Sequence, residues 1–161
     1  CILATHTSYL LNYKAYNGDG TGYLAVQRER AEEAALQMGY QFELTNAVLA
    51  AEVHPSGFAD AELALTVTQS GIAPFYYPLH LQVGSQQFEA VSTSEESLQD
   101  LLPGQSKELR LTFKDLPAEA INDTFTVQLT SPILQEGQAI HLATSSPWSM
   151  ASGPLLLRWE N

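Results

Sequence analysis

The chain has 161 residues, room for one domain with a sizeable core or for one domain and a short appendage. Seven basic against eighteen acidic residues give a net charge of −11, a field that repels phosphate and argues against nucleic acid and anionic membrane surfaces as partners. A single cysteine, Cys1, excludes an intrachain disulfide and cannot build a zinc site alone, and the longest apolar runs fall far short of the roughly 18 residues that mark a membrane span.

Cys1-Ile2-Leu3-Ala4 reads as the tail of a buried strand, so the chain is expected to be part of a longer protein, cut within or just after a preceding domain. Hydrogen-bonding groups then sit among leucines and aromatics in Thr5-His6-Thr7-Ser8-Tyr9-Leu10-Leu11-Asn12. If residues 2–5 end a barrel strand, His6, Ser8, Tyr9 and Asn12 stand at its carboxyl end, where barrel active sites are built. They are candidate cleft-lining residues, with plain structural roles as the competing reading. Asn17-Gly18-Asp19-Gly20-Thr21-Gly22 is a turn-rich loop. It lacks the spacing and closing glutamate of a calcium loop.

Residues 23–38 carry Leu24, Ala31, Ala35 and Met38 on one helical face and leave Arg28, Glu29, Glu32 and Glu33 outside. The apolar stripe is narrow, so this helix needs a partner surface. Gly39 ends it, because glycine accepts the left-handed conformation without a Cβ clash. In Tyr40-Gln41-Phe42-Glu43-Leu44 the period then changes to two, that of a half-buried strand.

From there the pattern predicts seven or eight strands. They cover residues 40–53, with a break near Ala50-Ala51, then 62–69, 77–83, 87–92 and 107–113. Further strands fall around Phe125–Leu129, Ile140–Leu142 and Leu155–Trp159. His54-Pro55-Ser56-Gly57 is a turn and Gly84-Ser85 a two-residue hairpin connection. Residues 93–106 read as a polar, acidic loop. Short alternating strands joined by Pro, Gly and Ser indicate a mainly β protein, an antiparallel sandwich of immunoglobulin or fibronectin type. Residues 40–161 form that domain, and 1–39 are the terminal strand-loop-helix segment of a preceding barrel-like domain.

Reactive constellations are absent from the sequence. His6, His54, His80 and His141 have no ligand spacing, and no nucleophile elbow or phosphate loop occurs. His80 is placed on the outer face of its strand. Glu95, Glu96, Asp100, Asp115, Glu119 and Asp123 fall in predicted loops and read as solvated surface rather than as an opposed catalytic pair. No metal and no cofactor is expected. Aromatic residues carry more information. Phe75-Tyr76-Tyr77 follows Ala73-Pro74 at the mouth of a strand, and Trp148 lies in a Ser/Pro loop. Exposed aromatic faces bind sugar rings, so Tyr76, Tyr77 and Trp148 are candidate carbohydrate-binding residues. The competing reading makes Phe75 and one tyrosine a core plug beneath the loop.

Three segments occur in order: Thr5 to Asn12, the helix running into Gly39-Tyr40-Gln41-Phe42-Glu43-Leu44, and Gly71-Ile72-Ala73-Pro74-Phe75-Tyr76-Tyr77-Pro78. Together they resemble the C-terminal region, a domain of unknown function, of bacterial proteins whose N-terminal part is a glycoside-hydrolase-like barrel. In that family a histidine-containing segment and a Gly-Tyr-aromatic junction lead into a β-sandwich. Its second strand commonly ends in an Asn-Xaa-Gly-Xaa-Ala-Pro-like turn. Here Gln69-Ser70-Gly71-Ile72-Ala73-Pro74 keeps the glycine, alanine and proline but lacks the asparagine. The resemblance covers residues 5–78, with the remainder a generic sandwich. It implies an extracellular, periplasmic or cell-surface polysaccharide context, with the preceding barrel as partner, and supplies no catalytic residue. The expectation is a non-catalytic ancillary domain supporting the barrel or its cleft. The alternatives are an independent carbohydrate-binding module and an adhesion or assembly domain.

Overall fold

A computed structural model describes residues 29–30, 39–136, 138–143 and 155–158. Glu29 and Arg30, within the segment expected to be helical, are helical and exposed. Gly39 has φ +89°, the left-handed conformation expected of it.

Seven strands are described: β1 (Phe42–Val53), β2 (Phe58–Gln69), β3 (His80–Ser85), β4 (Val91–Thr93), β5 (Ser106–Pro117), β6 (Phe125–Thr130) and β7 (Leu155–Leu157). A 3-10 helix, Ala118–Asn122, joins β5 to β6. One sheet has the order β1-β2-β5 and the other β4-β3-β6-β7, with every described strand pair antiparallel. The chain therefore changes sheets after β2, after β4 and after β5, giving two layers over one core.

Alternation explains the layers. Along β2, Ala59, Ala61, Leu63, Leu65 and Val67 are buried, and along β5 so are Leu109, Leu111, Phe113 and Leu116. Leu81 and Val83 of β3 and Phe125, Val127 and Leu129 of β6 face them from the other sheet. Phe113 and Phe125 meet between the layers with ring centroids 5.8 Å apart. Each fully buried leucine or phenylalanine contributes roughly 1.5–3 kcal/mol over exposure, so this alternation is the main source of stability.

Several boundaries differ from the sequence reading. The first strand is not broken at Ala50-Ala51; its irregularity is a bulge between Leu44 and Asn46. The extra residue moves the inward positions from Phe42 and Leu44 to Ala47 and Leu49. β3 starts at His80, three residues later than expected, because Pro78 has no N–H to give a ladder. Gly84-Ser85 is not a turn: β3 runs on to pair Ser85 with Phe125, and the connection to β4 is Gln86–Ala90 with Glu89 at φ +49°. Ile140–Leu142 forms no strand; Ile140 makes one antiparallel bridge to Leu129, and Ala143 one parallel bridge to Glu43.

Residues 94–105 are less loop-like than their polarity predicts. Leu98 and Leu101 are buried, and Ser94 accepts a hydrogen bond from the Leu81 N–H (3.1 Å) while donating to the Glu96 carbonyl (2.9 Å). The segment is pinned onto the start of β3, where the Leu98 N–H bonds the Leu79 carbonyl at 2.7 Å.

Candidate functional site

Of the candidate site residues, Tyr76 and Tyr77 are described, and their segment lies at one end of the sandwich. Pairing of Phe42 with Gln69 in one sheet and of His80 with Thr130 in the other places the start of β1, the end of β2, the start of β3 and the end of β6 there. The chain arrives at this end through Gly39.

Gln69 organises that arrival. Its side chain is fully buried at 0 % exposure, which a glutamine tolerates only when its amide is satisfied. Oε1 accepts from the backbone N–H of Gln41 (2.8 Å) and of Gly71 (2.9 Å), and Nε2 donates to the Ala73 carbonyl (2.7 Å). The N–H groups of Ile72 and Ala73 both reach the Gly39 carbonyl at 3.0 Å. The approach is so close that a Cβ on Gly71 would lie 2.5 Å from both Gln41 N and Gly39 O. Only glycine fits without moving backbone.

Phe75 is buried, as the core-plug reading expects of it, and carries the aromatic cluster. Tyr40 meets its ring edge-on at 4.9 Å, and Tyr77 at 5.9 Å. Tyr76 and Tyr77 are nevertheless 57 % and 53 % exposed. Their backbone is held from below: the Asp100 N–H bonds the Phe75 carbonyl at 3.0 Å, and Gln99 Nε2 the Tyr76 carbonyl at 3.2 Å. Both rings are thus presented on a braced segment. Trp148, His6, Tyr9 and Asn12 lie outside the described residues.

One carboxylate departs from the surface reading. Glu95, Glu96, Asp100, Asp115 and Glu119 are exposed, but Asp123 is only 6 % exposed. Burial alone pushes its carboxyl up. The Ser85 hydroxyl and the backbone N–H groups of Gln87, Thr124 and Gln86 donate to it, and together they hold it below the usual carboxylate range. Ser85 in turn accepts from the Phe88 N–H at 3.1 Å. This cluster shapes the β3–β4 connection. No described histidine is among its hydrogen-bond partners. Asp123 stands two residues before β6, and the periodicity holds no sign that its side chain turns inward.

Of the four histidines, His54, His80 and His141 are described. His80 lies on the face opposite Leu81 and Val83, as expected, and is half-buried with Nδ1 at 3.0 Å from the Ser94 carbonyl, because residues 94–98 cover that edge of β3. His54 lies 3.9 Å from Asp60, and His141 is exposed. On the outer face of the β1-β2-β5 sheet, Arg110 bridges Glu62 (2.7 Å) and Glu108 (2.9 Å), and Lys114 pairs with Asp60 (2.8 Å). The hydrogen bond from Lys114 lowers the Asp60 pKa, and the reciprocal bond raises that of Lys114. These are exposed ladder pairs. Among the described residues, no group of three His, Cys, Asp or Glu side chains comes together to hold a metal, and no helix is long and apolar enough to cross a membrane.

A hollow of about 480 Å³ lies beside the end of β6, walled by residues 127–131, 134–136 and 138–142 and by Leu155. It occupies the same end of the sandwich as the aromatic segment. No protein-family model, curated protein or solved structure matches this chain.

Proposed function

We propose that this chain is a non-catalytic ancillary sandwich of a glycoside-hydrolase-like protein, fixed in pose against a preceding barrel and supporting that barrel or its polysaccharide cleft. The observation that carries this reading is the clamp on the arriving chain. Gly39, Gln41, Gly71, Ile72 and Ala73 are tied together through Gln69 and the Gly39 carbonyl by five hydrogen bonds. A sandwich joined by a free linker needs no such joint; one that must sit at a set angle on its neighbour does. In this reading residues 1–39 are the last strand-loop-helix segment of the barrel, and the three-plus-four strand order is that of a fibronectin-type domain. The setting is extracellular, periplasmic or at the cell surface.

The test is a protein containing both barrel and sandwich, cross-linked and mapped by mass spectrometry. Cross-links confined to the junction end support the reading; independent tumbling of the two parts sinks it. A second measurement concerns catalysis. The isolated chain is expected to turn over no glycoside, and turnover abolished by one carboxylate substitution refutes the non-catalytic assignment.

A second reading, an independent carbohydrate-binding module, is favoured by the braced exposure of Tyr76 and Tyr77. A glycan array comparing the chain with a Tyr76→Ala/Tyr77→Ala variant decides it: binding lost in the variant supports the module, and binding kept removes the platform.

A further inference from the structure

We propose that the free edge of β1 is a self-association surface, through which two copies of this chain pair antiparallel about a twofold axis at Leu49. This surface uses none of the aromatic residues considered above and does not depend on the ancillary role.

Four strands edge the two described sheets, and three of them are poor templates for a further strand. β4 and β7 span three residues each. β5 is twelve residues long, but it carries Lys107, Glu108, Arg110, Lys114 and Asp115 and ends on Pro117. Charges and proline on an edge discourage strand addition. β1 is also twelve residues long, and from Leu44 to Ala51 it carries neither a charge nor a proline. Its bulge lies between Leu44 and Asn46, so Asn46 to Glu52 pair with β2 in unbroken register.

The backbone of β1 faces outward along this stretch. The His54 N–H bonds the Phe58 carbonyl of β2 at 2.8 Å. In the register before it, Glu52, Ala50 and Val48 therefore also turn their N–H and C=O groups to β2, and Ala51, Leu49 and Ala47 turn theirs away. No strand among the described residues lies on that side. A parallel bridge from Ala143 covers the edge at Glu43, and no described bridge continues it.

Side chains tell the same story. Val48, on the outer face, is 52 % exposed. On the inward face Leu49 is only half-buried, and Ala51 is exposed although Ala61, opposite it on β2, is buried. The core stops short of this edge, and an added strand extends it.

The sequence suits its own copy as that strand. A twofold axis at Leu49 sets Leu49 against itself and Ala47 against Ala51 on the inward face. On the outer face it sets Val48 against Ala50 and Asn46 against Glu52. Every opposed pair shares a face, as antiparallel pairing requires. No like charges meet, and the one carboxylate of the seam faces an amide that can donate to it. Ala47, Leu49 and Ala51 then exchange about six backbone hydrogen bonds with their counterparts, and two three-stranded sheets become one of six. A basic peptide would find a single carboxylate at one end of the stretch, so charge gives it no register. Each copy carries a net charge of −11, so association is opposed at long range and strengthens with added salt.

The experiment is sedimentation velocity of the whole chain from low to high micromolar concentration, at low and high salt, with amide hydrogen exchange followed by NMR at both ends of the concentration range. The expected result is a monomer–dimer equilibrium that salt shifts towards dimer. Exchange at the Ala47, Leu49 and Ala51 amides should slow as dimer forms, with no such change at Val48 and Ala50, whose N–H groups already bond β2. Ala51→Pro removes an N–H that the monomer does not use, so it should keep its thermal stability and dimerise at least about tenfold more weakly. Should that variant fail to fold, the alternation of exchange in the unaltered chain decides alone. A chain that stays monomeric at every concentration and salt overturns the proposal, and β1 amides already protected in that monomer would show another part of the chain seated on the edge. A dimer that leaves these amides unprotected, or one that folded Ala51→Pro does not weaken, overturns it equally. None of these results bears on the ancillary reading, which requires no second copy.

Discussion

Replacing Gln69 with methionine isolates the contribution of the clamp. Methionine has nearly the same length and volume, so the core is not emptied, and what disappears is the amide. Three backbone groups then lose their partner: the Gln41 N–H, the Gly71 N–H and the Ala73 carbonyl. A buried polar group left unsatisfied costs about 1–3 kcal/mol. The Gln41 bond is only partly buried and water can replace some of it, so a loss of about 3–5 kcal/mol is expected. Against a typical domain stability of about 5–15 kcal/mol this is a large fraction. With an m-value of about 2 kcal/mol/M, the urea midpoint should fall by about 2 M with m unchanged. Equilibrium urea unfolding followed by tyrosine and tryptophan fluorescence measures it. Thr68→Val on the same strand is the control, since its hydroxyl bonds Thr45 and Ser106 in water and should cost well under 1 kcal/mol. A midpoint shift below about 0.5 M for Gln69→Met, or one no larger than the control, would refute the clamp as an energetic feature.

Gly71→Ala attacks the same joint by steric means. Its Cβ meets only backbone at 2.5–2.8 Å, so hydrogen exchange should show faster exchange at Ile72 and Ala73; unchanged protection would contradict the close approach. Asp123 should make the protein acid-sensitive. Its folded pKa is lowered, so its stabilisation is complete above the unfolded aspartate value of about 3.9 and is lost as pH falls through the lower folded value. Asp123→Asn should be less stable by about 1.5–3 kcal/mol at neutral pH and should lose less on acidification, and unfolding curves that keep the wild-type acid slope would argue against this assignment. Phe75→Ala should cost about 3–5 kcal/mol by removing the ring on which Tyr40 and Tyr77 pack, and a loss under 1 kcal/mol by thermal unfolding would deny it that role.

Local chemistry carried the β-rich character of this chain. A strand's side chains alternate whatever it pairs with, so Leu63, Leu65 and Val67, or Leu109, Leu111 and Phe113, announced both their conformation and their buried face. Gly39 was legible for the same reason, because a left-handed residue after a helical pattern is a property of one position. Which of Phe75, Tyr76 and Tyr77 is buried was open in the sequence, and the fold buries Phe75 and leaves both tyrosines exposed. What only the tertiary structure decided is where segments distant in the chain meet. Period-two alternation states that a side chain faces inward but not which strand faces it, so the order β1-β2-β5 over β4-β3-β6-β7 had no local sign. Asp123 read as one more solvated acid because the four groups that donate to it include Ser85, 38 residues away. Gln69 read as the last residue of a strand and Gly71 as part of the turn after it, with no sign of the joint, since their partners Gly39 and Gln41 come from the other end of a hairpin. The unpaired hydroxyl of Ser131 is the same case in reverse: a serine among turn residues looks solvated, and only the fold takes it out of water without giving it a partner. Hydrophobic alternation is written along the chain, whereas burial of a polar group depends on what the fold brings over it.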